Sequence, residues 1–542
     1  MRLLVLAALA AAVPCAFAQS PAAARALTDR YCATCHSEKL KTAGVVLQGI
    51  DLTNVGASAA LLEKVARKLR TGEMPPPGMP RPDAATSANF VNWLQDSLDR
   101  AYATHPEPGR AVIHRLNRAE YSNAIRDLLA LDTKPGDMLP VDDSGYGFDN
   151  IGDVLSVSPA LLERYMMAAR RVSRQAIGDP ATKPSDEEFS ARDLGMRTNR
   201  NERISDDLPF DSRGGLSFRY YFPLDAEYNI RLKLGGDTPY EVRLPVRAGL
   251  RTVGVDFLRE SAKPEIALPG GRRGGGTPPQ AGPRPQMPPA EMDLRLDGAR
   301  LKRFQIGQGG GMPQVDKVVI SGPFNATGRG DTLSRERIFV CRPSGAPEED
   351  ACAHTILATL ARRAFRRPVT DADIQPLMAF YKSGRAEGDF DHGIERALRA
   401  TLVSPDFLFR IERDPAHLPA GSLHRLSDVE LASRLSFFLW SSIPDDELLG
   451  LAEKNKLQDA AVLAHQVRRM LDDPRSQALV DNFAGQWLYL RNLAAVKPDP
   501  VIFPEFDDSL RQSFEHETEL FFQSVLRGDR SVTDLLDANY TF

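Results

Sequence analysis

Two cysteines and a histidine stand together near the start of the chain, in the segment Cys32-Ala33-Thr34-Cys35-His36. Thiols three positions apart can each form a thioether to one porphyrin, and the adjacent histidine is then placed to ligate the iron. A zinc half-site is the alternative for these residue types. The pattern occurs once, follows a helix-forming stretch and precedes a Met-Pro loop. The spacing therefore predicts one covalent haem c, with His36 as an axial ligand.

The other axial ligand must come from further along the chain. Met74 lies in the segment Gly72–Pro77, where three consecutive prolines restrict the backbone. A stiffened loop holds a thioether over iron at little entropic cost, and a Met/His pair raises the haem potential. Met74 is the predicted ligand; Met79, His105 and His114 are the alternatives. Methionine also fills gaps in cores, so a packing role for Met74 competes with ligation.

Three predicted helices would position these residues. Apolar residues recur at helical spacing in 22–31, 58–70 and 83–102, and the first helix leads directly into the motif. Helices before and after a turn-rich middle suit a small class I cytochrome c fold, which we expect over residues 19–105.

The first 18 residues are typical of a secretory signal. A positive residue precedes the short apolar run Leu3–Val13, and Ala16-Phe17-Ala18 supplies a cleavage pattern. A lipid anchor on Cys15 is the alternative, but Pro14 fits it poorly. We expect a periplasmic or secreted protein.

Composition excludes some classes of protein. The 542 residues include 42% hydrophobic and 26% charged residues, which favours several globular domains. A formal net charge of −4 argues against a general binder of nucleic acid or anionic membranes. No stretch after the signal reaches the ~18 apolar residues of a spanning helix.

Cys341 and Cys352 are the cysteines left over in the exported chain. In an oxidising compartment they are expected to form a structural disulfide across a short loop, contributing roughly 2–3 kcal/mol. A redox-active pair is the weaker alternative, because the spacing is not C-x-x-C.

Beyond the haem segment we predict a multidomain α+β chain. Asn117 with Glu120, and Ser427 with Glu430, are capping boxes that open helices. Alternating apolar residues between 210 and 340 favour an antiparallel β-sandwich. The predicted domains are a helical domain at 110–180, the sandwich at 185–345 with a disordered insertion at 268–290, and helical domains at 350–413 and 424–542.

Several polar clusters have a structural and a functional interpretation. The loop Val141–Asn150, with Asp153, could hold calcium, but its spacing matches no EF-hand, and a helix-capping turn that packs Phe148 is favoured. Three other clusters are expected to be structural. An arginine cluster should form intramolecular ion pairs; its members are Arg362, Arg363, Arg366 and Arg367. A buried helical stripe should contain Phe483, Trp487 and Leu490, and a solvated helix face should contain Glu515, His516, Glu517 and Glu519.

The chain resembles the large exported proteins that join a planctomycete-type cytochrome c to domains of unknown function. The stretches that carry the resemblance are Tyr31–His36, Gly72–Pro77, Leu116–Tyr121, Gly147–Asn150, Leu360–Thr370, Val403–Pro405 and Leu426–Trp440. It implies covalent haem on Cys32 and Cys35, with His36 and Met74 as axial ligands, but no established activity. Relatives continue past a sequence like that at 539–542, so the last domain is expected to be incomplete.

Two classes of function follow. In the first, the protein transfers single electrons to or from an unknown redox partner protein. The alternative is a haem-containing oxidoreductase or polysaccharide-processing enzyme whose β-sandwich binds carbohydrate. Because the sequence carries one redox centre, electron transfer is the prediction.

Overall fold

The structure is a computed structural model that describes residues 20–542 except 105, 107, 108, 110–112, 192, 193, 195–202, 235–239, 259–289, 307–314, 420 and 421. The predicted signal peptide, His105 and residues 268–289 of the predicted insertion lie outside the described residues. The chain divides into two compact units, Met1–Ala111 and Val112–Phe542. Within the described residues, none of the helices combines the length and the apolar character that a membrane crossing requires.

Three helices build the first unit: α1 (Pro21–Tyr31), α2 (Ala59–Arg70) and α3 (Ala84–Thr104). Ser20 caps α1 by accepting a hydrogen bond from the Ala23 N–H at 3.2 Å, and Pro21 occupies the first helical position. One apolar cluster joins the three helices and the turns between them. It is built on Leu27, Leu52, Val55, Leu62, Leu69, Phe90, Val91, Leu94 and Leu98. The helices predicted from the sequence are present, with boundaries shifted by one or two residues.

The second unit begins with a helical layer. A two-residue strand β1 (His114–Arg115) precedes α4 (Arg118–Leu129) and α5 (Pro159–Ile177). The predicted capping box is present: the Glu120 N–H donates to Asn117 Oδ1 at 2.9 Å and the Asn117 N–H to Glu120 Oε2 at 3.0 Å.

Two four-stranded antiparallel sheets follow, in the strand orders β2-β9-β4-β5 and β3-β6-β7-β8. Side chains from both sheets share one apolar core, with Phe218, Phe222, Ile230 and Ile320 among its members. The sheets therefore pack face to face, as the alternating pattern predicts. The strands are β2 (Ser185–Ser190), β3 (Ser212–Phe222), β4 (Asp225–Leu234), β5 (Tyr240–Val246), β6 (Gly249–Leu258), β7 (Ala290–Leu296), β8 (Ala299–Ile306) and β9 (Val315–Gly328).

The rest of the second unit is mainly helical. Its elements are α6 (Leu333–Ile338), α7 (Ala346–Phe365), α8 (Asp371–Glu387), α9 (Phe390–Leu402), α10 (Pro405–Leu408), the strand β10 (Phe409–Arg410), α11 (Asp428–Trp440), α12 (Asp446–Glu453), α13 (Ala460–Asp472), α14 (Gly485–Trp487), α15 (Asp508–Arg527) and α16 (Asp534–Asp537). The strand β10 pairs antiparallel with β1, which joins the start of the first helical layer to the later helices.

Cys341 and Cys352 form a disulfide with 5.9 Å between their Cα atoms, as predicted. Cys352 is buried in the core that α4, α5, α7 and α9 share, and Cys341 packs against that core. The bridge fixes the segment between α6 and α7.

Three members of the predicted arginine cluster form intramolecular ion pairs. Arg362 contacts Glu453 at 2.7 Å, Arg363 contacts Asp446 at 2.8 Å, and Arg367 pairs with a carboxylate on α8 at 2.8 Å. These pairs link α7 to α8 and α12.

Arg366 differs from its neighbours. It is 5% exposed, and burial lowers the pKa of its guanidinium to about 9, which leaves it charged at neutral pH. The guanidinium donates to four backbone carbonyl oxygens at 2.7–3.2 Å, so it acts as a buried staple between α7 and the α10–β10 turn. The acceptors are the carbonyls of Ala364, Asp406, Phe407 and Phe409.

Candidate functional site

The C-x-x-C-H segment forms a turn at the carboxyl end of α1. The Cys32 N–H donates to the Thr28 carbonyl at 2.9 Å, and the His36 N–H donates to the Cys32 carbonyl at 3.0 Å. These bonds continue the helical winding, so both cysteines and the histidine lie within little more than one turn of each other. Cys32 and Cys35 are half-buried free thiols.

A loop folds back over His36 and holds it. The His36 carbonyl accepts hydrogen bonds from the N–H groups of Leu47 at 2.8 Å and Gln48 at 3.1 Å. The ring atom Nδ1 lies 3.4 Å from the Val45 carbonyl oxygen. A carbonyl only accepts, so this contact favours the tautomer with the proton on Nδ1, which leaves the Nε2 lone pair for a metal.

Burial and the nearby charge of Asp29 raise the pKa of the Cys32 thiol to about 11. The sulfur therefore stays a protonated thiol at neutral pH, and free thiolate chemistry is suppressed. A nearby pair of free thiols beside an oriented imidazole is the donor set that a covalent haem c requires, so the residues present fit that group.

The alternatives for the second axial ligand occupy different places. Met74 and Met79 both lie in the loop between α2 and α3 and are 41% and 42% exposed, so neither thioether is consumed by packing. His114 lies in the second unit, where its Nε2 is 3.4 Å from Glu120 Oε2. Ligation by Met74 stays a prediction.

The second unit contains a polar cleft of about 970 Å³ that the sequence did not indicate. One wall is α4 with the loop Val141–Asn150, and the other is the stretch 474–492, which includes a π-helix at Leu479–Ala484. Interruptions of this kind are frequent at functional sites. The cleft therefore joins segments that lie more than 300 residues apart in the sequence.

Hydrogen bonds at Asp149 tie the two walls together. Arg491 Nη1 donates to Asp149 Oδ2 at 2.6 Å, and the Asp149 N–H donates to Gln486 Oε1 at 2.7 Å. Arg491 also donates to Asn482 Oδ1 at 3.0 Å. Asn117 Nδ2 donates to the remaining carboxylate oxygen of Asp149 at 2.9 Å.

The acidic loop has the predicted structural role. Asp142 accepts from the Arg118 N–H at 2.7 Å at the start of α4 and from Arg115 Nη2 at 2.8 Å, and Phe148 stacks on Phe483 at 5.9 Å. Among the described residues there is no group of three or more His, Cys, Asp or Glu side chains arranged to hold a metal ion.

The predicted buried stripe on the other wall is partly wrong. Leu490 is buried, but Phe483 is 38% exposed and Trp487 is 46% exposed. The physical reason is the π-helix, which rotates side chains away from the α-helical positions that the spacing assumed.

The acidic helix is α15. Its predicted solvated face is present at His516, which is exposed and lies 3.6 Å from Glu519. Glu519 is only partly exposed, and burial together with the charge of Asp481 raises the pKa of its carboxyl. The face is therefore less solvated on the side of the cleft wall.

Three domain models match the second unit. Residues 114–178 match PSD3, described as "Protein of unknown function (DUF1587)"; residues 352–412 match PSD5 (DUF1595); and residues 426–542 match PSD4 (DUF1592). Together they are the signature of planctomycete cytochrome c-associated multidomain proteins. None of the three covers the C-x-x-C-H segment. No curated protein matches the chain, and no solved structure matches it.

Two of the matched domains form the walls of the cleft. Its α4 wall belongs to the DUF1587 domain and its other wall to the DUF1592 domain. The site is thus formed by two of the three matched domains. The expected carbohydrate ligand of the β-sandwich stays a prediction.

Proposed function

We propose that this protein is an exported electron-transfer protein that carries one covalent haem c in its first unit. The observation that carries the proposal is the pair of free thiols, Cys32 and Cys35, beside an imidazole whose Nδ1 faces the Val45 carbonyl. The domain models support it, because such domains accompany cytochrome c.

Each residue has a defined role in this proposal. Cys32 and Cys35 would supply the thioether sulfurs, and His36 would supply Nε2 to the iron. The Val45 carbonyl is a positioning group, since its contact with Nδ1 fixes the tautomer and the ring orientation. Met74 is the proposed second ligand. When bound, haem c supplies one-electron exchange between ferrous and ferric iron.

Export is supported by the disulfide between Cys341 and Cys352, since such bridges persist in oxidising compartments. The redox partner is a protein of unknown identity.

The test uses the full chain, co-expressed with a cytochrome c maturation system. We expect a single one-electron transition in an optical redox titration, and rapid electron exchange with a soluble c-type cytochrome in stopped-flow mixing. The matched control is the Cys32→Ala/Cys35→Ala variant, which should show neither. Catalytic consumption of dioxygen or peroxide by the wild-type protein would instead indicate an oxidoreductase.

A further inference from the structure

The cleft between the DUF1587 and DUF1592 domains has an unusual lining for a small-molecule site. Most ligand pockets are lined mainly by apolar side chains. Here five cationic, four carboxylate and five amide side chains face the same space of about 970 Å³. The charges almost balance, which disfavours a polyanion or a simple cation as the ligand. Donors and acceptors are both dense, which favours a neutral ligand that can donate and accept.

The polar groups of the cleft are fixed before any ligand arrives. Gln477 donates to Asp481 Oδ1 at 2.9 Å, and Gln523 in turn donates to Gln477 at 2.6 Å. Arg491 is held between Asp149 and Asn482, as described above. Planar groups held in this way lose little conformational entropy when they bind a ligand.

Some donors of the cleft are not fully used by the protein. Arg126 donates from Nε to Asp127 and from Nη1 to Asn123, but its buried Nη2 has no hydrogen-bond partner among the described residues.

An aromatic ring stands beside these polar groups. Tyr489 is 62% exposed and has a left-handed backbone with φ of 59°. Its hydroxyl oxygen lies only 3.4 Å from the position that a Cβ on Gly147 would take. The φ of Gly147 is 88°, a left-handed backbone conformation that glycine adopts readily. The ring is therefore held at the cleft, with a face available for stacking.

We propose that this cleft binds a carbohydrate, with Asp481, Asn482 and Arg126 hydrogen-bonded to sugar hydroxyls and Tyr489 stacked on a sugar ring. A hydroxyl group both donates and accepts, so neighbouring hydroxyls match a wall of carboxylate, amide and guanidinium groups. The apolar face of a pyranose matches an aromatic ring. The proposal does not depend on the haem.

The state of Asp481 supports this assignment. Although the side chain keeps contact with solvent, burial by the surrounding chain raises the pKa of its carboxyl, against the opposing effects of Gln477 and Arg491. A carboxylate can accept about four hydrogen bonds, and Gln477 uses one of these positions at Oδ1, so Asp481 keeps lone pairs that can accept from sugar hydroxyls.

The experiment is calorimetric titration of the full chain with cellohexaose, xylohexaose, chitohexaose and mannohexaose, with inorganic phosphate as the anion probe. We expect at least one sugar to bind with micromolar to millimolar affinity. Tyr489→Ala and Asn482→Ala should each weaken that binding about 10-fold, as expected for a lost contact of ~1.4 kcal/mol. The matched controls are Tyr102→Ala and Asn92→Ala, exposed residues of α3 in the first unit, which should leave it unchanged.

Three results would overturn the proposal. They are no binding by any of the four sugars, sugar binding that both cleft variants leave unchanged, and binding of phosphate alone that is lost in Arg126→Met. Circular dichroism of each variant checks folding, and Asp481→Asn, which keeps the side-chain shape, gives a second perturbation of the same wall if Asn482→Ala fails to fold.

Discussion

The disulfide between Cys341 and Cys352 gives a prediction with a magnitude that the structure sets. The two cysteines are 11 positions apart in the sequence. In the chain-entropy model, closing a loop of that length removes about 9 cal/mol/K from the unfolded ensemble, or about 2.8 kcal/mol at 25 °C. Reducing the disulfide should therefore raise the population of molecules in which the segment between α6 and α7 has unfolded by about 100-fold, since each 1.4 kcal/mol of free energy changes an equilibrium tenfold.

Hydrogen–deuterium exchange is the suitable assay, because a chain with two compact units has no single free energy of unfolding. We expect amides in α7 to exchange up to about 100-fold faster in the Cys341→Ala/Cys352→Ala variant. Amides in the first unit serve as the internal control. Reductant should accelerate exchange in the wild-type protein and leave the variant unchanged.

Exchange rates of α7 amides that agree within a factor of about three between the oxidised and reduced wild-type proteins would contradict this prediction, since that factor corresponds to less than 1 kcal/mol. An equal acceleration of both units would also contradict it, because the bridge constrains only the segment between α6 and α7.

Three further predictions concern the haem segment and the buried staple. Met74→Ala should abolish the weak far-red sulfur-to-iron absorption band and lower the haem potential, whereas Met79→Ala should change neither; the reverse result would assign the ligand to Met79. Arg366→Met should destabilise the second unit by about 3 kcal/mol or more and so lower its thermal midpoint, because four buried carbonyl oxygens lose their donor. The more exposed Arg367→Met should cost about 1 kcal/mol or less. Similar losses in the two variants would contradict the role of Arg366 as a buried staple. In protein produced without haem, the rate at which iodoacetamide alkylates Cys32 should rise with pH, with a midpoint near 11, because burial stabilises the neutral thiol. A midpoint at or below 9.0, the ordinary pKa of a cysteine thiol, would show that the sulfur is not desolvated.

Local features of the fold were predictable from the sequence because their causes are local. The capping boxes at Asn117 and Ser427 each depend on a partner three residues away, and both are present. The antiparallel strands follow from alternation within single segments, and the disulfide follows from the two cysteines left after the haem motif.

The cleft could not be predicted, because its contacts are not local. Arg491 and Asp149 are 342 positions apart, and no sequence pattern links them. The capping role of Asp142 was predictable, but not the second wall that faces its loop. The exposure of Trp487 was missed because the helical period does not anticipate a π-helix. Helical and alternating spacing of apolar residues indicated the domain classes. Only the packed structure brings the residues of the cleft together.

The most direct test of the central claim is a pyridine haemochrome spectrum of the mature full chain, with its intact mass, after co-expression with a cytochrome c maturation system. The proposed covalent haem predicts a c-type spectrum, one haem per chain and no alkylatable thiol at Cys32 or Cys35. A colourless protein with both thiols free would contradict it.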